Sequence, residues 1–360
     1  MTIFSEADFD AHGSVHAFFD PETGLKCFIA IHSTALGPAW GGCRMWPYAS
    51  ESEAIRDVLR LSRGMSYKNA MAGLAYGGGK AVIIGDPRHD KSPALFEAFG
   101  RAVDTLGGRY ITAEDVGTSV EDMLAVARAT AHVGGIPKPL GAQGYHGGDP
   151  SPKTAYGVFE GMRAAVEVGL GRHSLSGLTV AVQGVGNVGY HLCRHLHKAG
   201  ARLIVADLNK ENVARAERDF GAKAVPPGEI LSAEADVLAP CALGGILNAK
   251  TIPGIKAKVV SGAANNQLAT EADGERLHRR GILYAPDYVV NAGGIISVAA
   301  EREHDLDSAE VMERIGRIYD RTLDLLSIAH KSGRPPHEVA DELAREIIRM
   351  AKAGKGRAAA

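Results

Sequence analysis

The chain has 360 residues, 45% hydrophobic and 23% charged, and its 40 Lys and Arg against 42 Asp and Glu leave a net charge of -2. That length predicts two domains with separate cores, and near-neutrality removes any electrostatic reason to expect a nucleic-acid or membrane partner. Cys27, Cys43, Cys193 and Cys241 are scattered without a C-x-x-C pair, the start MTIFSEADFD lacks a signal-peptide layout, and no apolar run reaches spanning length; a disulfide framework or zinc site is not expected, and the cytoplasm is the natural compartment.

In chain order, GLKCFIAIH (24–32) reads as a strand, followed by the small-residue loop LGPAWGGCRMW. Trp40, ahead of Gly41-Gly42, is either a core residue or the wall of a pocket. Ser50 and Glu53 form a capping box, after which Ile55, Val58, Leu59 and Met65 recur at helical spacing. That helix leads into MSYKNAMAGLAYGGGK (65–80), with Lys68 and Lys80 twelve positions apart and Lys80 closing the run Gly77-Gly78-Gly79. A lysine between a glycine run and the apolar strand AVII (81–84) is expected to be partly desolvated, which disfavours its charged form. Lys80 is then a candidate general base and Lys68 a candidate anion holder, against the plainer reading of a surface turn with a solvated lysine. A phosphate loop fails on spacing, because it would need glycine at Leu74 and a hydroxyl residue at Ala81.

Residues 94–106 read as a helix, and RYITAEDVGTS as a strand that delivers Glu114 and Asp115 into a loop. One of these acids could cap the next helix near Ser119, but Asp115 in company with the lysines reads as functional. GGIPKPLGAQGYHGGDPSP (134–152), dense in Gly and Pro, is expected to be neither helix nor strand and to act as an interdomain hinge. A helix over 154–168 follows it.

LTVAVQGVGNVGYHLCRHL is then an apolar strand, the turn Gly184-x-Gly186-x-x-Gly189 and a helix; the next strand, ARLIVAD, ends at Asp207, eighteen residues beyond Gly189. That order is the one a dinucleotide site requires: glycines for the turn, pyrophosphate approach and packing, and an acid for the ribose hydroxyls. Asp207 repels a 2′-phosphate and so favours NAD, with Lys210 nearby as a weak counter-indication. A helix at 210–219 and strands at 236–239, 258–260 and 281–285 continue the alternation, with Asn265, Asn266 and Asn291 in loops after strands. From about Leu306 the chain reads as helical, with a turn at SGRPP and a last helix to Ala351. Among fourteen histidines, His191 and His195 stand four apart, but no glutamate of the H-E-x-x-H type separates them and packed or solvated histidines are expected rather than a metal site.

Lys68, Lys80, Asp115 and the Gly184 turn occur together with GLKCFIAIHSTALGPA, RMWPYASE, GRYITAEDVGTS, VQGVGNVGYHLCRHL, FGAKAV, APCALGGILN and YAPDYVVNAGG. Over nearly its whole length the chain thereby resembles the amino-acid dehydrogenases of the glutamate/leucine/phenylalanine/valine family. The resemblance implies an α/β fold of two domains. Residues 1–135 plus about 331–360 would form a mixed α/β substrate-binding and oligomerisation domain, with the C-terminal helices returning to it; 136–152 would be the hinge and 153–330 a Rossmann-type NAD-binding domain. It implies that Lys68 binds the substrate carboxylate, that Lys80 is catalytic and that Asp115 exchanges protons with the amino group. Trp40, Ala113, Ile295 and Val298 would line the side-chain pocket beside Gly41 and Gly42. Thr154, the turn Gly184, Val185, Gly186, Asn187, Val188, Gly189 and Tyr190, then Asp207 and Asn265, would contact NAD, and Asn265 would also face the substrate. Homo-oligomers, octamers or dimers, are implied, as is domain closure that excludes water.

The activity implied is reversible oxidative deamination of branched-chain L-amino acids to 2-oxo acids and ammonia. Members acting on leucine usually carry leucine where Trp40 stands and valine where Ile295 stands, so both departures add bulk to the pocket. Members acting on glutamate place a lysine at the Trp40 position; an indole cannot pair a carboxylate, and an unpaired buried one costs several kcal/mol, on the order of a strongly unfavourable transfer. An aromatic amino-acid dehydrogenase, with Trp40 stacking on the substrate ring, is the nearest alternative, and a non-catalytic NAD-binding regulator is the alternative from another class.

Overall fold

The computed structural model describes residues 3–136, 138–139, 145–146, 149–300 and 308–358. Contacts between Cα atoms divide the chain into two compact units: Met1–Gly148 with Val298–His304 and Ala344–Ala360, and Asp149–Ser297 with Asp305–Leu343.

The first unit is built on a mixed sheet. Its strands are β1 (Ser14–Asp20), β2 (Leu25–Ser33), β3 (Ala39–Trp40), β4 (Cys43–Trp46), β5 (Gly77–Ile84) and β6 (Tyr110–Ile111), in the order β1-β2-β5-β3-β6 with β4 also pairing β5. β1, β2 and β5 run antiparallel, while β3 and β4 lie parallel to β5. The helices are α1 (Glu51–Met71), α2 (Pro93–Asp104) and α3 (Val120–Val126). Side chains of a strand alternate between faces, and β5 obeys this: Ala81 and Ile83 join the core beneath α2 and α3, while Val82 joins the smaller core beneath α1 with Ala54, Val58 and Leu59. Each fully buried Val or Ile stabilises the unit by roughly 1.5–3 kcal/mol.

α1 starts where the sequence places it, with Ser50 Oγ accepting from the Glu53 amide at 3.2 Å, although Glu53 reaches back to the amide of Ala49 rather than to that of Ser50. It also runs further than its apolar spacing suggested, so that Lys68 lies in its last turn.

A short antiparallel ladder, β7 (Lys138–Pro139) with β8 (Tyr145–His146), falls in the segment expected to hold neither helix nor strand. The rest of the expected hinge over 136–148 lies largely outside the described residues. The second unit opens on α4 (Ser151–Leu170), then β9 (Thr179–Gln183), α5 (Asn187–Lys198), β10 (Arg202–Ala206), α6 (Lys210–Phe220), β11 (Lys223–Ala224), β12 (Val237–Pro240), β13 (Val259–Val260), α7 (Glu271–Arg279) and β14 (Leu283–Tyr284). The strands form one parallel sheet in the order β11-β10-β9-β12-β13-β14, the doubly wound arrangement expected of a dinucleotide-binding domain. α8 (Asp287–Val290), α9 (Gly293–Ala300), α10 (Ser308–Gly316), α11 (Ile318–Ser332) and α12 (Pro336–Ala358) follow.

The sequence reading returns the chain to the first unit at about residue 331, whereas the contacts do so at Ala344, within α12. The side chains give the reason. Asp341 accepts from the Tyr288 hydroxyl at 2.8 Å, and the His337 ring covers Gly274, both in the second unit. Arg345 donates instead to the Tyr67 hydroxyl at 2.8 Å in the first unit.

Acid should loosen the first unit through His32. Its side chain is 9% exposed, its Nδ1 lies 2.8 Å from Ser66 Oγ and its Nε2 lies 3.6 Å from Asp10. Burial, and next the neighbouring His12, push its pKa down from 6.5 to about 4. The unfolded chain therefore binds this proton first. The stabilisation is fully present above pH 6.5 and is lost as pH falls from 6.5 to about 4, at up to about 1.4 kcal/mol per pH unit. Calorimetry between about pH 7.5 and about pH 5 should show the melting temperature falling, and falling less steeply in His32→Asn; equal slopes would refute the assignment.

Candidate active site

Three glycines in a row lead to Lys80, and the structure makes them strand rather than turn. A Cβ on Gly77 would lie 1.9 Å from the Ser33 carbonyl oxygen, one on Gly78 would lie 2.0 Å from the Ser66 amide nitrogen, and one on Gly79 would lie 2.7 Å from the Tyr110 ring. The run lets β5 pass closely between its neighbours and carry Lys80 in the strand interior, opposite Ala30 of β2. By alternation Lys80 shares its face with Val82, the face that α1 covers.

The Lys80 side chain is 6% exposed, and its Nζ lies 2.9 Å from Asp115 Oδ2. Asp115 follows β6 in a loop tied down by Thr118, whose hydroxyl accepts from the Asp115 amide at 2.9 Å and donates to the Cys43 carbonyl at 2.9 Å. Neither Glu114 nor Asp115 caps the following helix; Ser119 and Asp122 do so with a complete capping box. Burial pushes the Asp115 carboxyl up, but the charges of Lys80 and Arg44, with their hydrogen bonds, outweigh it and hold the group below its usual value.

Arg44 escaped the sequence reading. Its Nε donates to Asp115 Oδ2 at 3.1 Å and its Nη1 to Asp57 Oδ2 at 3.0 Å, and Asp57 also accepts from the Tyr48 hydroxyl at 2.7 Å. The available signal was an arginine alternating with buried Cys43 and Met45 in the short strand CRMW. Arg44, Tyr48 and Asp57 also line a cavity of about 490 Å³ with Trp46 and Val116.

Of the proposed pocket residues, Trp40, Gly41, Gly42 and Ala113 belong to the same sheet region as Lys80. Trp40 is fully buried in β3, its ring edge-on to Tyr76 with centroids 4.6 Å apart. The Tyr110 hydroxyl donates to the Gly41 carbonyl at 2.6 Å, and a Cβ on Gly42 would lie 2.5 Å from the Glu114 carbonyl oxygen. Ala113 is half-buried just after β6, and its carbonyl accepts from the Cys43 amide at 2.8 Å. Ile295 and Val298 are half-buried, three apart on α9 and so on one face of that helix.

In the second unit the glycine turn joins β9 to α5. Gly184 has φ +90°, a conformation open to glycine, and a Cβ on Gly189 would lie 1.9 Å from the Gly184 carbonyl oxygen. A Cβ on Gly186 would meet nothing within 4 Å, and Gly186 is the N-cap of α5 with no side-chain cap bond. The helix N-terminus thus has free amides facing open space, which suits a pyrophosphate. Asp207, directly after β10, accepts from the Val185 amide and from the Asn209 amide, both at 2.8 Å, so one carboxylate braces the turn and keeps further lone pairs for ribose hydroxyls. These residues fit a dinucleotide.

Tyr190 is held at both ends. Its amide closes the first turn of α5 on the Gly186 carbonyl, but its hydroxyl donates to Asp219 and its ring lies 3.7 Å from the Arg215 guanidinium, so the side chain packs α5 on α6. Thr154 in the first turn of α4 lies against Gly293 and Gly294 at the start of α9. Asn265 is exposed after β13, and its Oδ1 accepts from Asn291 Nδ2 at 2.8 Å, fixing its rotamer. His195 stacks on Phe159 with centroids 5.4 Å apart, and burial pushes its pKa to about 4; it is a packed histidine.

A doubly wound sheet with a glycine turn and a carboxylate at the end of its second strand, together with a lysine–aspartate pair in a separate mixed domain, defines a two-domain α/β oxidoreductase of the dinucleotide-dependent class. The family model described as Glu/Leu/Phe/Val dehydrogenase, dimerisation domain, matches residues 12–132, and that described as Glutamate/Leucine/Phenylalanine/Valine dehydrogenase matches 148–210 and 204–356. The chain belongs to this family of amino-acid dehydrogenases. It is 56% identical to a leucine dehydrogenase from Geobacillus stearothermophilus, over 91% of this chain and 88% of that one. It is 54% identical to a leucine dehydrogenase from Bacillus subtilis, over 91% and 89%. Among solved structures, L-tryptophan dehydrogenase from Nostoc punctiforme superposes with a TM-score of 0.82 at 43% identity, covering 95% of this chain and 97% of that one.

Proposed function

We propose that the chain catalyses the NAD-dependent, reversible oxidative deamination of branched-chain aliphatic L-amino acids, leucine, valine and isoleucine, to 2-oxo acids and ammonia. The observation that carries this is the buried contact of Lys80 Nζ with Asp115 Oδ2 at 2.9 Å in a chain more than half identical to leucine dehydrogenases. Bound NAD supplies the acceptor for the α-hydrogen, which leaves as hydride. Lys68, half-buried in the last turn of α1, holds the substrate carboxylate and so fixes the α-carbon. Asp115 takes a proton from the substrate ammonium, giving the amine that can lose hydride. Lys80 removes a proton from the water that adds to the imine carbon and Asp115 returns its proton to nitrogen; the C–N bond then breaks, and the departing ammonia takes up the hydroxyl proton to leave as ammonium beside the 2-oxo acid.

NAD is favoured over NADP because the Asp207 carboxylate would stand against a 2′-phosphate. The full burial of Trp40, edge-on to Tyr76, supports an indole that fills space over one that stacks on a substrate ring. Cytoplasmic location and a homo-oligomer, octamer or dimer, complete the reading; among the described residues no helix is long and apolar enough to cross a membrane.

Following NADH absorbance over a series of aliphatic and aromatic amino acids with both cofactors tests these points together. Leucine, valine or isoleucine with NAD should give the highest kcat/KM, and Trp40→Leu should widen the aliphatic range. Phenylalanine or tryptophan on top, with activity lost in Trp40→Leu, would establish the aromatic reading that the tryptophan dehydrogenase neighbour raises. No turnover with any amino acid would leave a regulator. Light scattering on the same preparation should give a multiple of the chain mass.

A further inference from the structure

Asp115 Oδ2 accepts from two cations at once, Lys80 Nζ at 2.9 Å and Arg44 Nε at 3.1 Å, leaving Oδ1 without a partner among the described residues. Arg44 in turn cannot swing away. By the alternation of β4 it lies on the face opposite Cys43 and Met45, and its Nη1 is held by Asp57 Oδ2 at 3.0 Å. Asp57 sits on α1, 12% exposed, and is itself fixed by the Tyr48 hydroxyl at 2.7 Å and by Arg60 Nη2 at 3.0 Å.

We infer that Arg44 is a positioning residue for the reaction: tethered by Asp57, it grips one oxygen of Asp115, turns the other toward the reacting amino group, and places a second positive charge beside Lys80. The inference rests on the deaminating role proposed for Lys80 and Asp115. The geometry has two consequences. A lone Lys80–Asp115 pair would be free to rotate about one contact, whereas a carboxylate pinned from two strands has one orientation. A guanidinium is also charged at every working pH and planar, so it bridges two carboxylates in fixed geometry, which lysine cannot do. The charged groups arrayed here are Lys80 from β5, Arg44 from β4, and Asp57 and Arg60 from α1. Removing Arg44 deletes a cation in contact with Asp115, so that carboxylate binds its proton more tightly.

The test compares Arg44→Gln and Arg44→Lys with the parent enzyme, oxidising leucine with NAD across pH. Arg44→Gln should lower kcat about tenfold or more, on the scale of a misplaced general acid or base, with the KM for leucine within about twofold. It should also move the acid limb of kcat/KM to higher pH, by on the order of one unit for loss of a charge in contact. Arg44→Lys should restore the position of the acid limb and only part of kcat. A parent-like kcat and acid limb in Arg44→Gln would overturn the inference. Should that variant fail to fold, Asp57→Asn carries the test, since loosening the tether must lower kcat at unchanged KM, and a parent-like kcat would count against the inference in the same way. A parent enzyme that turns over no amino acid would instead overturn the function proposed above, so the two failures are told apart.

Discussion

Lys80→Ala should lose turnover while remaining folded and able to bind both ligands: kcat for leucine falls by roughly 10²–10⁴, the range for removing a positioned general base. The KM for leucine should move little, because the carboxylate is assigned to Lys68, one layer away on α1. Truncating one partner of a buried ion pair commonly costs about 3–5 kcal/mol when the other charge is left alone. Here Asp115 keeps Arg44 at 3.1 Å, and its side chain is 20% exposed, so water shares in its solvation. The loss of stability should accordingly be well below that range, and thermal melting should find a cooperative fold at assay temperature. The measurement is steady-state kinetics with leucine and NAD beside a melting curve. Undiminished kcat would remove Lys80 from the chemistry and take with it the proton route proposed here.

What the sequence made legible, and what it hid, follows from how local each signal is. The candidate dinucleotide half-site is written in one continuous stretch: β9, the glycine turn, α5, β10 and Asp207 follow one another along the chain. The desolvation expected of Lys80 is there, its side chain being 6% exposed, but the glycines before it form strand. A run of three glycines has turn propensity, but packing under Ser33, Ser66 and Tyr110 overrides it and extends β5 back to Gly77. Arg44 stayed hidden because its partners lie 13 and 71 positions away in sequence, so no spacing announces the bridge. The two-residue strands of the two large sheets, β3, β6, β11, β13 and β14, are defined by their ladders alone; β13 and β14 were found through their apolar runs, while β3 and β11 were not. The edge strand β1 was also missed, its residues being mostly half-buried or exposed and so lacking a clear apolar face. The end of α12 differs too. The sequence reading closes that helix at Ala351, yet it continues to Ala358.

The glycine turn offers the second large effect, because two of its glycines should fail in opposite ways. In Gly189→Ala the new methyl would sit 1.9 Å from the Gly184 carbonyl oxygen, a collision between two backbone segments that no side-chain rotation relieves. The turn must open, and α5 must shift from β9, at a cost of about 1–3 kcal/mol or more. Gly184, at φ +90°, is poorly placed to absorb that shift with any residue but glycine. Melting temperature should fall, and NAD affinity with it. In Gly186→Ala the methyl meets no protein atom within 4 Å, and the backbone, at φ -68°, is one that alanine adopts freely. The fold should be unchanged or gain about 0.4–1 kcal/mol from a stiffer unfolded chain. The same methyl, however, would enter the open space at the N-terminus of α5 where the proposed pyrophosphate would lie. If the pyrophosphate approaches over Gly186, each 1.4 kcal/mol of obstruction weakens binding about tenfold, and a loss of at least that size is expected. Thermal melting and a fluorescence titration with NADH on both variants separate the cases. A Gly186→Ala enzyme that binds NADH as tightly as its parent would mean that the phosphates do not pass over this glycine, and the open space beside it would need another occupant.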